Sequence, residues 1–177
     1  MGVRTDRRRF LQLAGLGAAA VPLAGLPRVG RARGAGERFA VQELAPGVQC
    51  IAGPGGNSVV VETADGLALI DGGLKADARD LLKRVQSGKR RVGLLFNTHW
   101  HPSATGCNET LGKAGVRIVA QENTRLWLQR PIVKVLENER HEALPKTAWP
   151  TETFLDRRQV DLGGTTFECG QLFQAHT

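Results

Sequence analysis

The sequence predicts a mixed α/β domain built in layers. Paired apolar runs joined by turn residues open the body, strand–helix alternation fills its middle, and short strands return at its end. The chain has 177 residues, enough for one domain with a core of its own.

Phe39–Glu43 and Val48–Ala52 read as short strands parted by Pro46-Gly47. Val59–Glu62 and Leu67–Ile70 are apolar runs joined around Asp65-Gly66, a hairpin signal, and Asp71-Gly72-Gly73 ends the second run in a turn. Residues 76–86 place Ala78, Leu81, Leu82 and Val85 on one helical face. Val92–Phe96 is an unbroken apolar run suited to a buried strand, and it delivers the chain into Asn97-Thr98-His99. Thr105 or Asn108 can cap a helix reaching about Ala114, where Gly115 supplies a stop. Val116–Ala120 follows as a strand and Glu122–Gln129 as a helix. Residues 131–150 are poorly patterned and carry Pro131, Pro145 and Pro150, which predicts a long excursion over one face. Thr151–Leu155, Gln159–Leu162, Thr165–Cys169 and Leu172–Ala175 then read as short strands, with a turn at Gly163-Gly164. The last of these ends in His176 with no closing helix, the pattern expected of a chain cut within its domain.

The formal charge of +7 is concentrated at one end. Residues 1–36 hold seven arginines against one acid, Asp6, a surplus of six. The other 141 residues hold 17 basic against 16 acidic side chains, so their net charge gives no nucleic-acid footprint. The run Lys89-Arg90-Arg91 reads as a solvated loop end.

A charged start followed by the Leu/Ala/Gly stretch Leu11–Leu26 has the order of an export signal. Pro22 interrupts that stretch, which is too short and too rich in small residues for a stable membrane span. Asp6-Arg7-Arg8-Arg9-Phe10-Leu11-Gln12 resembles the twin-arginine signal, which implies passage through the twin-arginine translocase to a periplasmic or secreted destination. The expected division is therefore a signal peptide over 1–36 and a domain over 37–177. An oxidising compartment would permit one disulfide among Cys50, Cys107 and Cys169; Cys50 and Cys169 read as small buried apolar residues.

His99 and His101 follow the buried strand. In extended backbone the i, i+2 spacing puts both imidazoles on one face, where each can give a nitrogen to one metal ion. The same alternation turns Trp100 to the opposite face, behind the loop. Gly53-Pro54-Gly55-Gly56 has no helix after it and reads as a turn beside the site rather than a phosphate cradle. His141, in a charged stretch, reads as exposed.

The arrangement resembles the metallo-β-lactamase superfamily, in which similar segments run Asn-Thr-His-x-His-x-Asp-His-x-x-Gly-Asn. Asn97, Thr98, His99, His101, Gly106 and Asn108 match that pattern. Asp71 matches the family's acidic residue behind the site, and His176 its next metal-binding histidine. The resemblance covers about residues 39–177. It implies an αββα sandwich, of which this chain supplies mainly the N-terminal half, and a zinc-dependent hydrolase acting on a small-molecule substrate. His99, His101 and His176 would hold one zinc with an open fourth position, which lowers the pKa of a bound water from about 15.7 to near 7. Two positions depart from the pattern: Ser103 stands where the family has Asp, and Ala104 where it has His. A second metal site is therefore not expected. Ser103 can hydrogen-bond to the water but cannot serve as its base. Cys107, in the same loop, is a candidate thiolate ligand. The alternative is an exported binding protein that keeps the fold without the chemistry, or a non-functional fragment.

Overall fold

The computed structural model describes residues 38–172 apart from 87 and 137. The signal-like leader, His176 and most of the expected strand Leu172–Ala175 lie outside the described residues.

Seven strands form one sheet: β1 (Ala40–Ala45), β2 (Val48–Gly53), β3 (Gly56–Thr63), β4 (Gly66–Ile70), β5 (Val92–Asn97), β6 (Arg117–Gln121) and β9 (Glu152–Phe154), in the order β1-β2-β3-β4-β5-β6-β9. Pairing is antiparallel from β1 to β4, where tight turns connect neighbours. It is parallel from β4 through β5 and β6 to β9, where helical crossovers intervene. Two separate hairpins complete the β structure, β7 (Ile132–Lys134) with β8 (Glu139–His141) and β10 (Arg157–Leu162) with β11 (Thr165–Gly170).

The helices are α1 (Ala78–Val85), α2 (Pro102–Thr105), α3 (Asn108–Lys113) and α4 (Glu122–Leu128). Of the two short helices here, the second, α3, is the helix expected to start at Thr105 or Asn108 and reach about Ala114, and α2 precedes it. Pro102 opens the first, since its missing N–H is one the first helical turn leaves unpaired in any case. The structureless excursion expected over 131–150 contains the β7–β8 hairpin and a single turn at Lys146–Ala148.

Alternation along the strands builds two cores. Leu67, Leu69, Leu95 and Ile118 face Leu81, Leu82 and Val85 of α1 and Leu111 of α3. Ala68, Leu94, Phe96 and Val119 face the other way, toward Val160, Leu162 and Phe167 of the β10–β11 hairpin. The helix-side core is the larger, and burial of its Leu and Ile side chains stabilises the fold by roughly 1.5–3 kcal/mol each. The hairpin covers only part of the second face. A cleft remains at the carboxyl ends of the parallel strands, where Asn97 leads into the histidine loop.

Candidate metal centre and adjoining cleft

The histidine loop is held from three sides. Behind it, the Asp71-Gly72-Gly73 turn docks backbone to backbone: Gly72 N–H donates to the Ala104 carbonyl at 2.6 Å, and Gly106 N–H to the Gly73 carbonyl at 2.8 Å. That approach requires glycine. A Cβ on Gly106 would lie 2.2 Å from the Gly73 oxygen, and one on Gly72 would lie 2.8 Å from the Cys107 Cβ. Below it, Asn97 and Asn108 are both buried and exchange amide hydrogen bonds at 3.0 and 2.8 Å. Asn97 Nδ2 also donates to the Ala104 carbonyl, and Asn108 Nδ2 to the Ala148 carbonyl. The strand end, α2, α3 and the turn at Ala148 are thereby tied at one point.

The third support is Asp71, whose φ of 60° places it in the left-handed region that few non-glycine residues occupy. Asp71 Oδ1 accepts from Thr98 N–H at 2.8 Å, and Oδ2 accepts from the Thr98 hydroxyl at 2.7 Å. Thr98 Oγ1 in turn lies 2.8 Å from His99 Nδ1. Burial raises the Asp71 carboxyl above its usual range, and the hydrogen bonds from Thr98 and the neighbouring His99 pull it back down. With the one hydroxyl proton of Thr98 committed to the carboxylate, Oγ1 can only accept from the ring. That assigns the proton to His99 Nδ1 and the lone pair to Nε2.

The rings of His99 and His101 stand edge to face with centroids 4.8 Å apart, so the structure brings together two of the three sequence-predicted histidines. Two neighbouring imidazoles, one with its tautomer fixed from behind, suit a borderline metal such as zinc. Among the described residues no group of three or more His, Cys, Asp or Glu side chains converges on one point. His176 lies outside the described residues.

Ser103 is half-buried on α2, and its Cβ is 4.0 Å from where a Cβ on Gly56 would stand, so the glycine turn does adjoin the loop. Ala104 is 1 % exposed. Cys107 turns into the helix-side core, where its thiol donates to the Ala78 carbonyl at 3.8 Å. Burial pushes its pKa up to about 12, and with the thiol turned to Ala78 inside that core Cys107 leaves the ligand set. All three cysteines are free thiols, so the permitted disulfide is not made. Cys50 and Cys169 are half-buried rather than buried.

Trp100 corrects a further expectation. β5 ends at Asn97, the loop then bends, and strand alternation no longer applies. The indole lies against His101, with centroids 4.4 Å apart, and stacks on Trp127 at 5.9 Å. His141 is half-buried with its ring edge-on to Trp100 at 5.6 Å, so the β7–β8 hairpin reaches the histidine loop through that indole. Sequence reasoning missed Trp127, Phe154 and Phe167 at this place. Their separation in the chain left no local signal: α4 carries Trp127, and the register of β9 and β11 brings Phe154 and Phe167 to the cleft.

Comparison with known proteins agrees with this architecture. A family model described as the metallo-beta-lactamase superfamily matches residues 52–164. The chain belongs to that superfamily, a class whose fold hosts metal-dependent hydrolases. Among solved structures, a metallo-beta-lactamase from Pontibacter korlensis superposes with a TM-score of 0.55 at 24% identity, covering 73% of this chain and 59% of that one. A Cronobacter sakazakii metallo-beta-lactamase with a HARLDQ motif gives 0.59 at 24% identity, over 71% of this chain and 52% of that one. TMB-1 gives 0.51 at 19% identity, over 72% and 57%. The chain therefore spans between half and three fifths of the length of these proteins, and the likeness to them is one of fold. No curated protein matches the chain in sequence. Among the described residues no helix is long and apolar enough to cross a membrane.

Proposed function

We propose that this chain carries the metal-binding half of an exported hydrolase that cleaves an ester, amide or thioester in a small-molecule substrate with a single zinc. The observation that carries the reading is the Asp71–Thr98–His99 relay beside His101. A chain that kept the fold for packing alone has no need to fix the tautomer of a half-exposed imidazole. His99 and His101 would hold the ion, with His176 as the third ligand. A bound zinc supplies a Lewis acid that activates water and polarises a carbonyl. The protein's own part is to orient: Asp71 and Thr98 set His99, the paired amides of Asn97 and Asn108 set the loop, and Ser103 offers a hydroxyl to a water. Export through the twin-arginine translocase to the periplasm or beyond rests on the Arg7-Arg8 leader.

The test is metal analysis of the purified chain followed by His99→Ala. About one zinc per chain, lost in the variant together with hydrolysis of an ester panel, supports the reading. A zinc-free wild type, or a variant that turns over substrate as fast, refutes it.

The second reading, a binding protein without chemistry, draws on the packing of Ala104. Its methyl stands at the position where the family pattern has a histidine and is buried in α2. Ser103→Asp paired with Ala104→His separates the two: a gain in metal content and turnover marks a decayed catalytic site.

A further inference from the structure

We propose that the cleft beside His99 is a binding site for an uncharged flat aromatic or bulky apolar group, and that this group is the part of the substrate that places its scissile bond at the histidines. The cleft has a volume of about 550 Å³. That falls within the range of about 300–1,000 Å³ typical of small-molecule sites. It opens at the carboxyl ends of parallel strands, the end of such a sheet where ligands bind.

The walls set the ligand class. Phe96 and Phe167 pack at 5.2 Å on one side, Phe154 closes the edge, and Trp100 and Trp127 form the wall next to the histidines. Among the described residues lining the cleft Glu168 is the one carboxylate, and none is Lys or Arg. The cations around it are engaged: Arg157 with Glu168 at 3.4 Å, Arg130 over the Trp127 ring at 4.4 Å and Lys134 over the Trp100 ring at 5.8 Å. An anion entering the cleft would lose its water and meet only cations that already have partners. A neutral aromatic ring finds edge and face contacts on several sides and displaces water from apolar surface. The amides of Gln121 and Gln171, 3.4 Å apart, offer hydrogen bonds to a neutral polar substituent. Trp100 links the two halves of the site, since it lines the cleft and touches His101.

The catalytic use of the cleft rests on the hydrolase reading, but binding itself does not. The experiment therefore uses the metal-free full chain, so that no zinc captures a carboxylate. Titration calorimetry with 2-naphthamide and 2-naphthoate compares a neutral and an anionic ligand of one shape, and sedimentation reports the oligomeric state alongside. The expected result is saturable 1:1 binding of the amide by the monomer, with the carboxylate at least tenfold weaker. Trp127→Ala should weaken the amide about tenfold with its unfolding midpoint nearly unchanged. Glu168→Gln should narrow the gap between the amide and the carboxylate. Equal affinity for both ligands, no saturable binding, or a dimer that must dissociate before it binds would overturn the proposal. The last result would make the cleft an interface between copies. Binding without zinc uptake by the loaded protein would sink the hydrolase reading and leave the cleft; zinc uptake without binding would do the reverse.

Discussion

Asp71 and Thr98 are joined by two hydrogen bonds, one from the backbone N–H at 2.8 Å and one from the hydroxyl at 2.7 Å, and the second fixes which nitrogen of His99 carries a proton. Asp71→Asn tests this polarity directly. An amide nitrogen at the Oδ2 position would donate to Thr98 Oγ1 and leave the hydroxyl proton to point at His99 Nδ1. The ring would then protonate at Nε2 and lose its metal-competent lone pair. Zinc affinity should fall about 10–100-fold, the range for loss of a partner behind a ligand. A competition assay with a chelating dye measures it, and unchanged affinity would mean that the relay does not set the tautomer.

The paired amides of Asn97 and Asn108 should dominate the stability of the loop. Asn108→Ala leaves Asn97 Oδ1 and the Ala148 carbonyl without their donor in a dry place, at a cost of about 2–3 kcal/mol. Urea unfolding measures it. In a double-mutant cycle with Asn97→Ala the second change should cost much less than it does alone, since the two form one unit.

Gly106→Ala should be among the most damaging single-methyl changes in the chain. The added carbon would lie 2.2 Å from the Gly73 oxygen and 2.3 Å from the Leu74 carbonyl carbon, and backbone gives way less than a side chain. A loss of about 3 kcal/mol or more is expected. Gly115→Ala is the control: nothing stands within 4 Å of its Cβ, and only its φ of 76° is penalised, at about 1 kcal/mol. Thermal unfolding midpoints rank the two.

How much of this was readable beforehand depends on the range of the interaction. The apolar runs that became β3, β4, β5 and β6 and the amphipathic α1 announce themselves within a few residues. So did the histidine pair, because it follows directly on β5. The β7–β8 hairpin did not, since strands of three residues carry too little pattern. The orientation of Trp100 failed because alternation was carried past the end of the strand at Asn97. Cys107 failed because loop membership says nothing about direction, and α3 turns its thiol to Ala78. The relay through Thr98 was hidden for another reason: it needs Asp71 at φ 60°, a backbone state that Asp visits more readily than most residues but still uncommonly.

Acid should loosen the β6–β9 edge. Arg117, and then Arg158, hold the Glu152 carboxyl below its usual range. A lowered folded pKa means that the stabilisation is fully present above the unfolded value and is lost as pH falls through the folded one. The partners are partly exposed, so the contribution is about 1 kcal/mol or less. Glu152→Gln should lower stability at pH 7 by that amount and make no difference at pH 2. Urea midpoints at the two pH values check the sign.

The most direct measurement of the central claim is zinc stoichiometry with X-ray absorption at the zinc edge, on the wild type and on the His99→Ala, His101→Ala double variant. The expected result is about one zinc per wild-type chain, in a shell of nitrogen and oxygen neighbours with no sulfur, and none in the variant. A wild type that takes up no zinc, a sulfur neighbour at about 2.3 Å, or a variant that retains the ion would contradict it.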